Sequence, residues 1–196
     1  MKRNQTSILS TRSLVMMAAL IAIQIVLARY LAVQVSATLR ISFETIPLAL
    51  AGMWLGPLAG VLVALISDIL GTIIYGYGAY FPLISLGPMA FALICGLSAR
   101  YLFRSSLSET RDAWKVIATV IVAGIVNSFG IGLVTTTLYQ MIVVGKEGTF
   151  AVLAAANFAT RLTTKPLTIV ASALVVFLVN RAAYRPVVKQ ILGRAV

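Results

Sequence analysis

The sequence predicts an all-α integral membrane protein: six transmembrane helices in one membrane domain, with both termini in the cytoplasm. Three observations predict it. The apolar content exceeds what a core can hide, the chain divides into six apolar runs, and the basic residues gather on alternate connections. The chain has 196 residues, of which 60% are hydrophobic and 11% charged, and its mean hydropathy is +1.00. A soluble domain averages about 45–50% apolar and about 25% charged. The surplus implies lipid as solvent. The expected domain is 1–196, with a short cytoplasmic N-terminus (1–12) and a basic cytoplasmic tail (181–196).

A crossing helix needs roughly 20 apolar residues at about 1.5 Å of rise each. The first run, SLVMMAALIAIQIVLARYLAV, covers about 13–33. It follows a basic N-terminus, but it is too long for a signal h-region and no small-residue cleavage site precedes a polar mature domain, so it reads as a retained span. QVSATLRIS then forms a polar, β-tending connection. Span 2 (about 43–57) is short. GPLAG (56–60) reads as a tight turn, because Gly-Pro stops a helix. Span 3 runs over about 58–75. GYGAYFPL (76–83) is a Gly- and Tyr-rich loop, and span 4 follows at about 84–103. RSSLSETRDAWK (104–115) is the one clearly hydrophilic interior loop. Span 5 covers about 116–143, VGKEGT is a short connection, and span 6 covers about 150–180, interrupted at Lys165-Pro166.

Six spans place both termini on one side. That side, with the 104–115 loop and the end of span 4, holds eleven of the sixteen Lys and Arg residues; the opposite loops hold only Arg40 and Lys146. Cytoplasmic loops carry the excess of Lys and Arg, so both termini are assigned to the cytoplasm. Tyr30, Tyr75, Tyr77, Tyr80, Phe81 and Tyr139 then fall at outer ends, as an interfacial belt or a pocket lining.

Five charged residues fall within or beside spans on the outer side: Arg29, Glu44, Asp68, Arg161 and Lys165. A charge at the centre of a span costs about 2.5–3.5 kcal/mol on insertion scales, so such residues usually face a cavity or one another. Arg29 can be read as snorkelling to the interface. Asp68, deep in VALISDILGTII, either locks two spans through an Asp–Arg pair or accepts hydrogen bonds from a ligand. Arg161 and Lys165 are spaced i, i+4 and share a helix face; Pro166 predicts a bend beside them. Asp68 alone cannot neutralise Arg29, Arg161 and Lys165. The excess predicts an outward cationic cavity for an anionic ligand, and two acidic groups suit the Arg161/Lys165 pair best. Arg offers a two-pronged fork to a carboxylate and Lys a point charge. Lipid headgroups and water are the bland alternative.

Asn127, Gln140 and Asn157 are second-rank candidates, since isolated amides in spans are more often interhelical glue. In VTTTLYQ the hydroxyls can satisfy themselves on backbone carbonyls. YGYGAYF could stack a flat ring between Tyr75, Tyr77, Tyr80 and Phe81, with glycines as hinges, or form an interfacial belt. Ala18 and Ala22, at i, i+4 in MMAALIA, offer a small face for close helix approach. Ala28 and Ala32 fit the same pattern.

Several classes are excluded or disfavoured. No G-x-x-x-x-G-K-[ST] occurs, so no Walker-type ATP site is expected. There is no His and one Cys, Cys95, so no zinc site, intrachain disulfide or His-based catalysis is expected. Asp68 and Glu44 are the only acids near the membrane, which makes an intramembrane enzyme using Asp68 a distant alternative. In a membrane chain the net charge of +11 orients spans and does not imply nucleic acid. What survives is a small solute-binding membrane subunit energised by another protein.

The stretch RISFETIPLALAGMWLGPLAGVLVALISDILG (40–71), followed by YFPLISLGPMAFALICGL, resembles the S-components of energy-coupling factor (ECF) vitamin transporters. It is most similar to the folate-specific branch. The signature is the series from Ile46-Pro47 through Asp68 and Gly71, and the resemblance spans roughly 13–180. It implies a six-helix ECF S-component-like fold in a prokaryotic cell membrane and a high-affinity outward vitamin site. It also implies docking through an Ala-x-x-x-Ala face, here Ala18 and Ala22, on a transmembrane coupling subunit (T-component) with two ATPase subunits below. No cofactor and no metal is expected. A folate-like vitamin suits the charges: two carboxylates for Arg161 and Lys165, adjacent N–H donors for Asp68, and a flat ring for the tyrosines. Arg29, Arg40, Glu44 and Asn157 complete the candidate contacts. Pantothenate, with one carboxylate and no ring, or another vitamin is the alternative cargo.

Overall fold

The computed structural model describes residues 10–31, 33–34, 40–41, 43–75, 81–101 and 113–183. Their order is α1 (Thr11–Arg29), β1 (Val33–Gln34), β2 (Arg40–Ile41), α2 (Thr45–Leu55), α3 (Pro57–Tyr75), α4 (Pro82–Tyr101), α5 (Ala113–Ile125), a π-helical stretch (Val126–Ile131), α6 (Gly132–Ile142) and α7 (Phe150–Ala183). The α5, π and α6 segments run on without a break, so seven α segments form six rods. The polar connection after α1 is an antiparallel pair, with Val33 opposite Ile41 and Gln34 opposite Arg40.

Local chemistry sets the boundaries. Ser10 caps α1: its hydroxyl accepts the Ser13 N–H at 3.3 Å, satisfying one of the orphan donors of the first turn. Between α2 and α3 a single residue reverses the chain. Gly56 adopts φ +104°, open to glycine and strained for residues with a Cβ, and Pro57 starts α3 where a missing N–H costs nothing. α7 runs through Pro166 as one 34-residue helix, so the interruption expected there is absent. Proline at 166 removes one donor, that of the Leu162 carbonyl, which is a small loss against the remaining turns of a 34-residue helix.

Five rods are long and apolar enough to cross a bilayer: Thr11–Arg29, Pro57–Ile74, Pro82–Tyr101, Trp114–Ile142 and Phe150–Ala183. The chain is a multi-pass membrane protein. α2 is shorter, and every residue from Ile46 to Leu55 is buried. It is the inner element around which α1, α3, α4 and α7 pack. The approach is close: a Cβ on Gly52 would lie 2.5 Å from Ala92 O, and one on Gly96 would lie 2.5 Å from Pro57 Cα. Small residues let membrane helices meet at backbone distance. Trp54 Nε1 donates to Asn180 Oδ1 at 2.8 Å, tying α2 to the far end of α7. The most deeply buried apolar side chains include Phe91, Leu48, Val63, Val116, Val120 and Val176, all essentially inaccessible.

Candidate functional site

A cavity of about 630 Å³ opens at one end of the bundle. Its walls come from the end of α1, the start of α2, the end of α3, the start of α4, the π stretch with α6, and the first half of α7. That is the end opposite the N-terminus of α1 and the C-terminus of α7. The volume lies within the roughly 300–1,000 Å³ typical of small-molecule sites.

All five outer-side charges line it: Arg29, Glu44, Asp68, Arg161 and Lys165. Among the described residues that sets three cations against two carboxylates, a formal excess of one positive charge. The sequence expectation counted Asp68 alone; Glu44, just before α2, also faces the space. Glu44 and Lys165 line a smaller cavity of about 50 Å³ as well, together with Thr168 and Ser172.

The charges sit on different walls. Asp68 stands on α3, where its Oδ2 accepts the Ser85 hydroxyl of α4 at 2.5 Å. One turn further along α3, Gly71 makes room for Arg29: a Cβ there would lie 3.3 Å from the guanidinium Nε and Nη2. Arg161 and Lys165 stand on α7, facing α5 and α6. Arg161 Nη1 donates to Ser128 O at 2.5 Å, and Nη2 donates to Gly132 O at 2.9 Å and Thr136 Oγ1 at 2.6 Å.

That arrangement explains the π stretch. Widening from an i−4 to an i−5 pattern leaves a carbonyl without its usual donor, and Arg161 supplies donors from the next helix. It also limits what Arg161 can offer a ligand. A guanidinium has five N–H groups, and three are taken here. Both two-pronged faces of a guanidinium use Nη2, whose two hydrogens go to Gly132 and Thr136. The free fork expected for a ligand carboxylate is therefore spent within the chain, leaving single donors on Nη1 and Nε. Lys165 faces the same cavity four residues on.

The other candidates separate clearly. Phe81 lines the cavity and packs against Tyr139, centroids 5.8 Å apart. Tyr77 and Tyr80 lie outside the described residues, as do the side chains of Tyr75 and Arg40, whose backbones belong to α3 and β2. Asn157 is not among the cavity residues. Its Nδ2 donates to Gln140 Oε1 at 2.9 Å and Thr137 Oγ1 at 3.2 Å, and its Oδ1 accepts from Gln140 Nε2 at 3.3 Å. This amide pair joins α6 to α7. Ala18 and Ala22 are exposed on α1.

The cavity also takes residues that sequence reasoning passed over or ranked low. Asn127 and Ser128 of the π stretch line it, with Thr135 and Thr136. The self-satisfying reading of VTTTLYQ holds for Thr135 and Thr137, which donate to Gly132 O and Leu133 O. Thr136 instead accepts from Arg161. Gln24 is the plain omission: it is 7% exposed and lines the cavity. Its signal was an amide in the otherwise apolar run IAIQIVLA.

Comparison with known proteins adds four findings. A family described as ECF transporter, substrate-specific component, matches residues 12–183. A protein named folate transporter FolT from Clostridium novyi (strain NT) is 34% identical over 133 residues, covering 68% of this chain and 70% of the relative. A second of that name, from Leuconostoc mesenteroides subsp. mesenteroides, is 38% identical over 90 residues, covering 46% of this chain and 48% of that one. Among solved structures, a crystal structure of FolT bound with folic acid superposes with a TM-score of 0.59 at 25% identity, covering 91% of this chain and 93% of that chain.

Proposed function

Because the chain belongs to the substrate-specific components of ECF transporters, we propose that it captures folate from outside the cell membrane and delivers it inward as the binding subunit of an ATP-driven importer. The observation that carries this reading is the cavity with Asp68 on one wall and Lys165 on another, in a chain whose relatives are named folate transporters.

Folate has a donor-rich heterocycle at one end and two carboxylates at the other. Asp68 keeps acceptor capacity on Oδ1 and on the remaining lone pair of Oδ2, and a carboxylate is an acceptor-only group. It suits adjacent N–H donors. Lys165 suits the acidic tail, within a positive field to which Arg161 and Arg29 contribute. Phe81 and Tyr139 supply aromatic surface beside the space, and a flat ring fits such surfaces by offset or edge contact.

The orientation follows from charge. The cavity opens at the end that the distribution of basic residues assigns to the exterior. Energy must come from elsewhere, since no Walker loop occurs in the chain. Partners consistent with the family are a transmembrane coupling subunit, met through the exposed Ala18 and Ala22 on α1, and two ATPase subunits.

The test is the ultraviolet spectrum of protein purified from cells without added vitamin. The expected result is a pterin absorption band that disappears in Lys165→Ala and Asp68→Asn. A spectrum of protein alone, together with binding of pantothenate, would replace folate by the rival cargo.

A further inference from the structure

We propose that the side-chain amide of Asn127 is a ligand-binding group, whose Nδ2 donates a hydrogen bond to a carboxylate oxygen on the acidic tail of the bound molecule. The proposal rests on the folate reading above and deepens it.

Among the described residues the Asn127 amide makes no hydrogen bond, and the one fully enclosed side-chain polar atom without a partner is Gln24 Oε1. The Asn127 amide is therefore accessible. The residue is half-buried and lines both the large cavity and the small one. Asn157 and Gln140 show what an amide used as interhelical glue looks like, each bonded to the other; Asn127 is not used so.

The π stretch brings Asn127 to the cavity. At about 100° per residue, Asn127 and Thr136 would lie about 180° apart on an uninterrupted α-helix, yet both line the same space. The Gly132 N–H reaches back to Asn127 O, an i−5 bond, and the additional residue in that turn absorbs about 100° of the difference.

α4 sets which end of the amide is free. A Cβ on Gly87 would lie 2.5 Å from Asn127 Oδ1, so the oxygen rests against the Gly87 backbone. An oxygen tolerates a Cα–H there, whereas an NH2 would press hydrogen on hydrogen. The two Nδ2 hydrogens are left for a ligand.

α7 says what the ligand group is. α5 and α7 run antiparallel: a Cβ on Gly124 would lie 3.0 Å from Ile169 Cγ2, and one turn further along Ser128 O accepts from Arg161 Nη1. Lys165 lies midway between Arg161 and Ile169, which places it level with Asn127 and Ser128, and it lines the same two cavities. Two cations thus stand beside the amide donor, against one carboxylate, Glu44, which borders both spaces from the start of α2. With the Arg161 fork spent on the π stretch, Asn127 supplies the neutral donor that seats an acidic tail beside Lys165.

The experiment is titration calorimetry of the full-length protein in detergent with folate and with pteroate, which lacks the glutamate tail, alongside thermal melting of the empty protein. Asn127→Leu removes the donor at similar size; Asn127→Asp replaces it by an acceptor. We expect Asn127→Leu to bind folate about tenfold more weakly and pteroate within about twofold of wild type. Asn127→Asp should lose more toward folate, because like charges meet. Wild-type folate affinity in either variant would overturn the role of Asn127 and leave the folate reading standing. Equal losses for folate and pteroate would assign the amide to the heterocycle or, with a lowered melting temperature, to the fold; both overturn it. If Asn127→Leu does not fold, Asn127→Asp decides alone. Wild-type protein that binds neither compound would overturn the reading beneath.

Discussion

The guanidinium of Arg161 on α7 holds the carbonyl of Ser128 in the π stretch at 2.5 Å, across 33 residues of sequence. The same group takes Gly132 O and Thr136 Oγ1, so one side chain fixes the irregular part of the cavity wall. Hydrogen bonds to a charged group contribute about 1.5–3 kcal/mol each, less when partners can be replaced. Arg161→Gln is expected to destabilise the empty protein by about 2–4 kcal/mol and to weaken folate binding about tenfold. Arg161→Lys should restore much of the affinity but little of the stability, since an ammonium lacks the planar fork. Thermal melts and calorimetry check both; an unchanged melt for Arg161→Gln would show that the π stretch stands without it.

Asp68 is predicted to bind without reacting. Asp68→Asn should lower folate affinity by about tenfold to a hundredfold, the worth of a charge-assisted hydrogen bond. Ser85→Ala, which frees Oδ2 and loosens the carboxylate, should cost about 1 kcal/mol, near fivefold. Chromatography of the released ligand should return folate unaltered, and an altered product would point to catalysis by Asp68.

The glycines set a stability prediction that is independent of ligand. Gly96→Ala would drive a Cβ to within 2.5 Å of Pro57 Cα, and Gly56→Ala would place one at φ +104°. Losses of about 1–3 kcal/mol are expected, overpacking for the first and left-handed strain for the second. Gly130, with nothing within 4 Å of its would-be Cβ, should accept alanine without loss. The three melting temperatures decide the matter.

Asn157 is predicted to matter for packing only. Asn157→Leu removes the amide pair with Gln140 and the contact to Thr137, worth about 0.6–1.7 kcal/mol in membrane helices. Its melting temperature should fall while folate affinity stays within about twofold. A tenfold loss of affinity would return Asn157 to the site.

Ala18 and Ala22 face outward on α1, on a different side of the helix from Gln24. Replacing either by Trp should abolish folate uptake in cells carrying the coupling and ATPase subunits, and leave binding to the purified protein unchanged. Loss of binding would mean that this face packs inward.

What was legible in the sequence is what burial cost makes conspicuous. Charges in apolar runs are expensive, so Arg29, Asp68, Arg161 and Lys165 announced a cavity, and the structure places all four on its walls. Gly-Pro at 56–57 marked a turn because few other residues allow it. The π stretch was not legible, because its carbonyls are answered by Arg161 from a distant helix and nothing local to VNSFGI signals it. Pro166 read as a break, yet one missing N–H does not outweigh the surrounding turns of α7. Gln24 went unnoticed because a neutral amide costs less than a charge, and only packing reveals that its oxygen has no partner.

The most direct test is calorimetric titration of vitamin-free, full-length protein with folate and, separately, with pantothenate. We predict one-to-one heat of binding with folate, strongly reduced in Lys165→Ala, and none with pantothenate. Binding of pantothenate with silence toward folate, or folate binding indifferent to both Asp68→Asn and Lys165→Ala, would contradict a cavity that grips its guest between those two walls.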